Sequence, residues 1–243
     1  MPKFFLSSEA VSGDSLVLTG EQFNHAKVLR LRVGDAVIVC DGRGTDYRCT
    51  VSEISEGQMI LTIDSSGASG SEAAVSVTIY MALPKGDKLE HVIQKATELG
   101  ADSIVTFPTA RCVSRPDDKS LRKKLERWQK IAASAAEQSG RGKIPEVRTL
   151  PSYAAALKEA ASADLSVLFY ENEEQRTFRS AIEAAPFQTA ALMTGPEGGL
   201  ELSEVTQAEA AGLQICTLGS RILRCETAPL CALSALMYAA GEF

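Results

Sequence analysis

Ala190-Ala-Leu-Met-Thr-Gly195-Pro-Glu-Gly-Gly199 is an apolar run that breaks abruptly into glycine, and the reading of the chain turns on it. It reads as a strand at 190–194 entering a tight turn ahead of an acidic helix at 203–211. Working outward, further strands fall at 75–83, 103–107, 165–170 and 214–218, and helices at 88–99, 120–138, 153–161, 176–184 and 227–240. Strands alternating with helices argue for a largely parallel sheet covered by helices. In the helix at 88–99, Leu89, Val92, Ile93, Ala96 and Leu99 share one face, and Gly100 follows as a left-handed cap.

The first part of the chain has a different rhythm. Short strands at 15–18, 36–40, 47–54 and 59–63, punctuated by glycine turns, predict a small β-barrel. Ser65-Ser-Gly-Ala-Ser-Gly-Ser71 has no apolar anchor and reads as a flexible linker. The expected domains are therefore 1–70 and 71–243.

Composition narrows the function. The chain has 243 residues and a net charge of −6, enough length for a real core without disulfides or a structural metal. The opening MPKFFLSSEA reaches Ser7, Ser8 and Glu9 too soon for a signal-peptide apolar region, so a cytoplasmic location is expected. No apolar stretch is long enough for a membrane span. Six cysteines without a Cys-x-x-Cys pair, and only His25 and His91 beside them, give no zinc spacing, and no metal is expected. Neither histidine accompanies a Gly-x-Ser-x-Gly elbow, which argues against a serine hydrolase.

Charge is uneven. Residues 85–148 carry 14 basic and 9 acidic groups, while both flanking parts are acidic. Arg111, Arg115, Lys119, Arg122, Lys123, Lys124, Arg127 and Lys130 form a stripe that suits nucleic-acid phosphates. Leu121, Leu125, Trp128, Ile131 and Ala135 recur at helical spacing within it, so on charge alone the stripe reads as the solvated face of an amphipathic helix.

In α/β sheets, ligands collect at the carboxyl ends of strands. The loop Gly195–Gly199 lacks the lysine of a P-loop and the spacing of a dinucleotide fold, and Glu197 would repel a phosphate. A neutral or cationic ligand suits it, and an ordinary tight turn fits the same residues. The strand at 214–218 enters Gly219-Ser-Arg-Ile-Leu-Arg224-Cys-Glu226-Thr-Ala228, followed by a helix almost free of charge that suits either a buried element or a subunit interface.

Lys95-Ala-Thr-Glu98-Leu-Gly100, Ala136-Glu-Gln138-Ser-Gly-Arg141, Gly195-Pro-Glu-Gly-Gly199 and Leu218-Gly-Ser-Arg-Ile-Leu-Arg224-Cys-Glu226-Thr-Ala228 occur in this order. Together they resemble the bacterial 16S ribosomal RNA (uracil-N3)-methyltransferases of the SPOUT class. His25-Ala-Lys-Val-Leu-Arg30 with Gly34-Asp35 is similar to that family's N-terminal PUA-like RNA-binding barrel. The chain departs from the usual pattern at Cys225, where Thr is usual, at Ala110 and Cys112 flanking Arg111, where Glu and Ser are more frequent, and at Lys3, commonly Arg.

The resemblance implies a PUA-like β-barrel followed by an α/β SPOUT methyltransferase domain with a C-terminal trefoil knot. It implies a homodimer that methylates N3 of a 16S rRNA uridine in the small ribosomal subunit, using S-adenosylmethionine. Cofactor contacts would come from Tyr170, Gly195, Pro196, Glu197, Gly198, Gly199, Leu218, Gly219, Ile222, Leu223 and Arg224. Arg224 and Arg141 are candidates for polarising the base. Glu226 is a candidate for accepting its proton or fixing Arg224, and serves equally well as a carboxylate at a helix start. Lys27, Arg30, Arg43, Lys95, Arg111 and Arg115 become candidate RNA contacts. Ribose 2′-O-methylation on the same scaffold and a non-catalytic ribosome-assembly factor are the rival readings.

Overall fold

The computed structural model describes residues 1–6 and 11–243. Ser7, Ser8 and Glu9, which close the opening apolar run, lie outside them. The chain divides into two units, one made of Met1–Glu72 with Ala136–Ile144, the other of Ala73–Ala135 with Pro145–Phe243.

The first unit is built on strands β1 (Lys3–Phe5), β2 (Val11–Ser12), β3 (Ser15–Thr19), β4 (Ala36–Cys40), β5 (Thr45–Ser55) and β6 (Gln58–Ala68), with helix α1 (Gly20–Val28). They pair in the order β1-β4-β5-β6-β3-β2, all antiparallel except β1 with β4. Every second residue faces the core: Leu16 and Leu18, Val37 and Val39, Met59 and Leu61 are buried, and Phe23 and Ala26 of α1 pack with them. This is the one-sided burial expected of an antiparallel sheet. Register shifts at Arg48/Cys49 and Val51/Glu53 mark irregularities where β5 bends against β6.

Two expectations need correction here. The Ser/Gly run does not begin as a linker, because Ser65 to Ala68 continue β6 against Arg48 to Thr45. Ladder hydrogen bonds join backbones, so an exposed strand end needs no apolar side chain. The first unit also takes up a later segment. The Glu72 carboxylate accepts hydrogen bonds from the Arg141 guanidinium at 2.6 Å and from the backbone amides of Gly142 at 2.7 Å and Lys143 at 3.1 Å. The ammonium of Lys3 bonds Asp46 at 2.8 Å and the Gly140 carbonyl at 3.1 Å.

The second unit holds six strands, β7 (Ser76–Ala82), β8 (Ser103–Phe107), β9 (Glu146–Thr149), β10 (Leu165–Phe169), β11 (Thr189–Thr194) and β12 (Gln214–Cys216), in the order β12-β10-β11-β7-β8-β9. Every pairing is parallel. The helices are α2 (Lys88–Glu98), α3 (Asp118–Ser139), α4 (Tyr153–Ala160), α5 (Phe178–Glu183), α6 (Leu202–Ala210) and α7 (Ala228–Ala239). All five residues of β10 are buried, as a strand covered on both faces requires. In α7, Pro229, Ala232, Leu233, Leu236 and Met237 are buried, while Cys231, Ala235, Tyr238 and Ala239 face outward. Gly100 takes the left-handed conformation expected after α2.

On α3, Trp128 is buried and Arg122, Lys123 and Lys130 are exposed, while Arg127 pairs with Glu90 at 2.6 Å and Lys124 lies over the Trp128 ring. This is the amphipathic arrangement the spacing predicts. Among the described residues, no helix is long and apolar enough to cross a membrane.

One polar network joins β7, β9 and α4. The buried Tyr80 hydroxyl donates to Glu159 at 2.7 Å, and the Arg148 guanidinium pairs with the same carboxylate. Hydrogen bonds from Arg148, against the cost of burial and with help from Tyr80, hold the Glu159 carboxyl below its ordinary range. A depressed carboxyl contributes stability above its unfolded value and loses it as pH falls through the folded one. Glu159→Gln should therefore cost stability at neutral pH and flatten the acid limb of the stability curve, as read by urea titrations at stepped pH.

Candidate functional site

Strands β12, β10 and β11 are neighbours, so their carboxyl ends open side by side. The segments that follow them enclose a cleft of about 830 Å³. Tyr170, Gly195, Pro196, Glu197, Gly198, Gly199, Leu218, Gly219, Ile222, Leu223 and Arg224 all line it. Leu218 reaches the cleft from the loop, because β12 ends at Cys216.

The loop after β11 owes its shape to two glycines. Gly199 has φ +69, and a Cβ on it would collide with the Glu171 carboxylate. At Gly198 a Cβ would stand 3.2 Å from the Arg111 Cβ, and the Gly198 carbonyl accepts a hydrogen bond from the Arg111 guanidinium at 3.1 Å. At the end of β11, the buried Thr194 hydroxyl borders the cleft without a hydrogen-bond partner among the described residues. A buried hydroxyl in that condition suits a ligand atom.

The charges of the cleft fall into two groups. Glu197 accepts from the Lys85 amide at 3.0 Å and pairs with Lys88 at 3.2 Å, and Glu173 accepts from the amides of Gln175 and Arg176. Glu171, Glu174, Arg221 and Arg224 also line the cleft, and their side chains have no hydrogen-bond or ion-pair partner among the described residues. A ligand therefore meets two uncommitted carboxylates and two uncommitted guanidiniums.

Glu226 stands beside the cleft without lining it. It pairs with Lys88 at 3.3 Å and accepts from the Cys225 thiol at 3.2 Å. Its own backbone amide, the Cys225 thiol and the Lys88 ammonium outweigh burial and hold its carboxyl below the ordinary range. Burial is offset in the same way at Glu197 by backbone amides and Lys88.

Arg141 is not among the residues that line this cleft: it belongs to the other unit, where it is 4% exposed and its guanidinium bonds Glu72. Among the candidate RNA contacts, Lys27, Arg30 and Arg43 are exposed on the first unit and Arg111 and Arg115 on the second. Arg115 bonds the carbonyls of Cys112 and Ala110 in its own loop, and Lys95 is tied to Glu98 at 2.7 Å.

Lys88, Glu171, Glu174 and Thr194 border the cleft without having been expected there. Thr194 ends β11, and Glu171 and Glu174 lie in the loop that follows β10, so the carboxyl-edge rule points to them. Lys88 carries no such signal, since it reads only as the first residue of a helix.

A family profile described as an RNA methyltransferase domain matches residues 71–237. The chain belongs to that RNA methyltransferase family. A second profile, an RNA methyltransferase PUA domain, matches residues 18–64. Relatives of this family member include the ribosomal RNA small subunit methyltransferase E of Bacillus subtilis, 39% identical over 91% of this chain and 89% of the relative. The enzyme of the same name from Mycobacterium tuberculosis is 32% identical over 96% of this chain and 90% of the relative. The crystal structure of a ribosomal RNA small subunit methyltransferase E from Neisseria gonorrhoeae, bound to S-adenosyl methionine, has 30% identity and a TM-score of 0.84, covering 98% of this chain and 97% of that one.

Cys225 lines the cleft beside Arg224. Burial, then its bond to Glu226 and the charge of Glu197, push the thiol up to about 12. The nucleophile is the thiolate, so at pH 8 Cys225 should react with iodoacetamide roughly a hundredfold or more slowly than an ordinary thiol. Peptide mass mapping over a timed alkylation, with a free cysteine peptide as the reference, reads that rate. Equal rates for Cys225 and the reference peptide would contradict this environment.

Proposed function

We propose that the chain methylates N3 of a uridine in small-subunit ribosomal RNA, using S-adenosylmethionine held in the cleft at the ends of β10, β11 and β12. The observation that carries this reading is the convergence on one cleft of both glycine loops with carboxylates that have no protein partner. The volume falls in the usual range for small-molecule sites. The donor set suits a cationic adenosine compound: loop backbone, the unpartnered Thr194 hydroxyl, and the uncommitted Glu171 and Glu174.

S-adenosylmethionine, when bound, supplies a methyl carbon made electrophilic by its sulfonium. Gly195 to Gly199 and Leu218 to Arg224 hold it, Tyr170 forms a wall, and Glu171 and Glu174 balance its positive charge. Arg224 faces the cleft uncommitted, and its guanidinium orients the uracil and stabilises the negative charge that gathers on the base oxygens as N3 loses its proton. Glu226, kept ionised by its neighbours, is a weak base and serves to fix the segment that carries Arg224. Nitrogen N3 would take the methyl group as the carbon–sulfur bond breaks, its electron pair returning to sulfur to leave the neutral thioether S-adenosylhomocysteine, and the N3 proton would pass to water at the open cleft.

Lys27, Arg30 and Arg43 on the PUA-like unit, with Arg111 and Arg115, supply local phosphate contacts on a chain of net charge −6. That balance favours a structured ribosomal particle in the cytoplasm over free RNA. We further propose that the first unit closes as a barrel, that the loops at 195–201 and 217–227 belong to a trefoil knot, and that the uncharged outer face of α7 meets a second copy in a homodimer.

Calorimetry should show S-adenosylmethionine binding, and Gly198→Val should weaken it at least about tenfold, by forcing the loop away from Arg111. Small subunits from a strain lacking the protein should gain 3-methyluridine on incubation with wild type. Arg224→Ala should lower that rate by about a hundredfold or more with the fold intact by circular dichroism. A 2′-O-methylated nucleoside in the digest would replace the reaction, and binding to the subunit without methylation or cofactor heat would replace the enzyme.

A further inference from the structure

We propose that Lys88 is a positioning residue that couples the two cofactor loops, through one ammonium shared between Glu197 and Glu226. The inference rests on the cofactor reading above. It goes beyond it by giving the loops a common anchor that belongs to neither.

Lys88 opens α2, immediately after the turn that leaves β7. Its Nζ lies 3.2 Å from Glu197 Oε1, 3.3 Å from Glu226 Oε2 and 3.7 Å from Cys225 Sγ. Glu197 is the middle of the Gly195–Gly199 loop, and Glu226 ends the loop that carries Arg224. The turn before α2 adds a second hold, because the Lys85 amide bonds the same Glu197 oxygen at 3.0 Å.

Two physical points argue that the ammonium is placed for this purpose. A cation in the first turn of a helix opposes the helix dipole, so α2 itself gains nothing from a lysine there. Without that cation, Glu197 and Glu226 become two carboxylates facing a vacated site, and their repulsion drives the loops apart. With it, each loop is held by a charge-assisted contact to a rigid helix end. The three side chains are 29%, 28% and 22% exposed, so each contact is of modest strength and sensitive to salt.

Glu226 does not line the cleft; its side chain reaches the cleft through the neutral Cys225 thiol and through Lys88, and of the two the Lys88 ammonium alone responds to the charge of Glu226. This yields a signature that a purely structural lysine lacks. Removing the Glu226 charge weakens binding while Lys88 is present, and is neutral or favourable once Lys88 is gone, because it then relieves repulsion.

The test is calorimetric titration of the full-length chain with S-adenosylmethionine, for wild type, K88M, K88R, E226Q and K88M/E226Q, alongside ligand-free thermal midpoints. K88M should bind about three- to tenfold more weakly, K88R should recover most of the loss, and E226Q should change sign between the two backgrounds. Wild-type affinity should also fall more steeply with salt than that of K88M. Equal affinity of K88M and wild type, or the same E226Q effect in both backgrounds, overturns the proposal while leaving the cofactor reading intact. Absence of wild-type binding overturns the cofactor reading and this inference together. Should K88M fail to fold, E197Q, E226Q and their double variant read the same coupling, and strict additivity between them overturns it.

Discussion

A parallel sheet must be covered on both faces, and that constraint shapes everything else in the second unit. Helices occupy the faces, so the strands become continuous apolar runs, as in β10 and β11. What remains free to vary is the edge where strands end. The strand order sets three consecutive ends together, and the glycines, carboxylates and guanidiniums of the cleft follow from that adjacency. The cleft is thus a by-product of sheet topology, refined by the few residues that close the loops.

The first unit solves its burial differently. Its antiparallel sheet has one dry face, so alternate residues suffice, and α1 contributes only Phe23 and Ala26 to the core. Its polar ties concentrate at Glu72, which satisfies a guanidinium and two amides with a single carboxylate. Such charge-assisted contacts are shorter and stronger than neutral ones, which lets a few residues secure a distant segment of chain.

Strands with strong apolar runs were readable from residue order alone: the expected 36–40 and 103–107 coincide with β4 and β8. Elements with few buried residues were not. Strand β9 buries only Val147, and α1 lacks a sustained helical stripe, so neither stands out by periodicity. The Ser/Gly tail of β6 misled for the opposite reason, since its order comes from ladder bonds that leave no mark on side-chain chemistry. In the site, glycines that cannot carry a Cβ were legible, because a missing side chain is itself a signal. Lys88 was not, because its meaning depends on two carboxylates far away in sequence, and the pairing of Arg141 was not, because its partner Glu72 is equally remote.

The membership of Ala136–Ile144 in the first unit has a topological consequence. The chain leaves that unit after Glu72, re-enters it at Ala136 and departs for good after Ile144. No single scission separates the two units into intact halves. A fragment ending at residue 72 would keep the Glu72 carboxylate but lose Arg141 and the amides that satisfy it, leaving an unpaired anion where the full chain has a closed network. Modular dissection of this protein therefore calls for a circularly permuted or grafted segment.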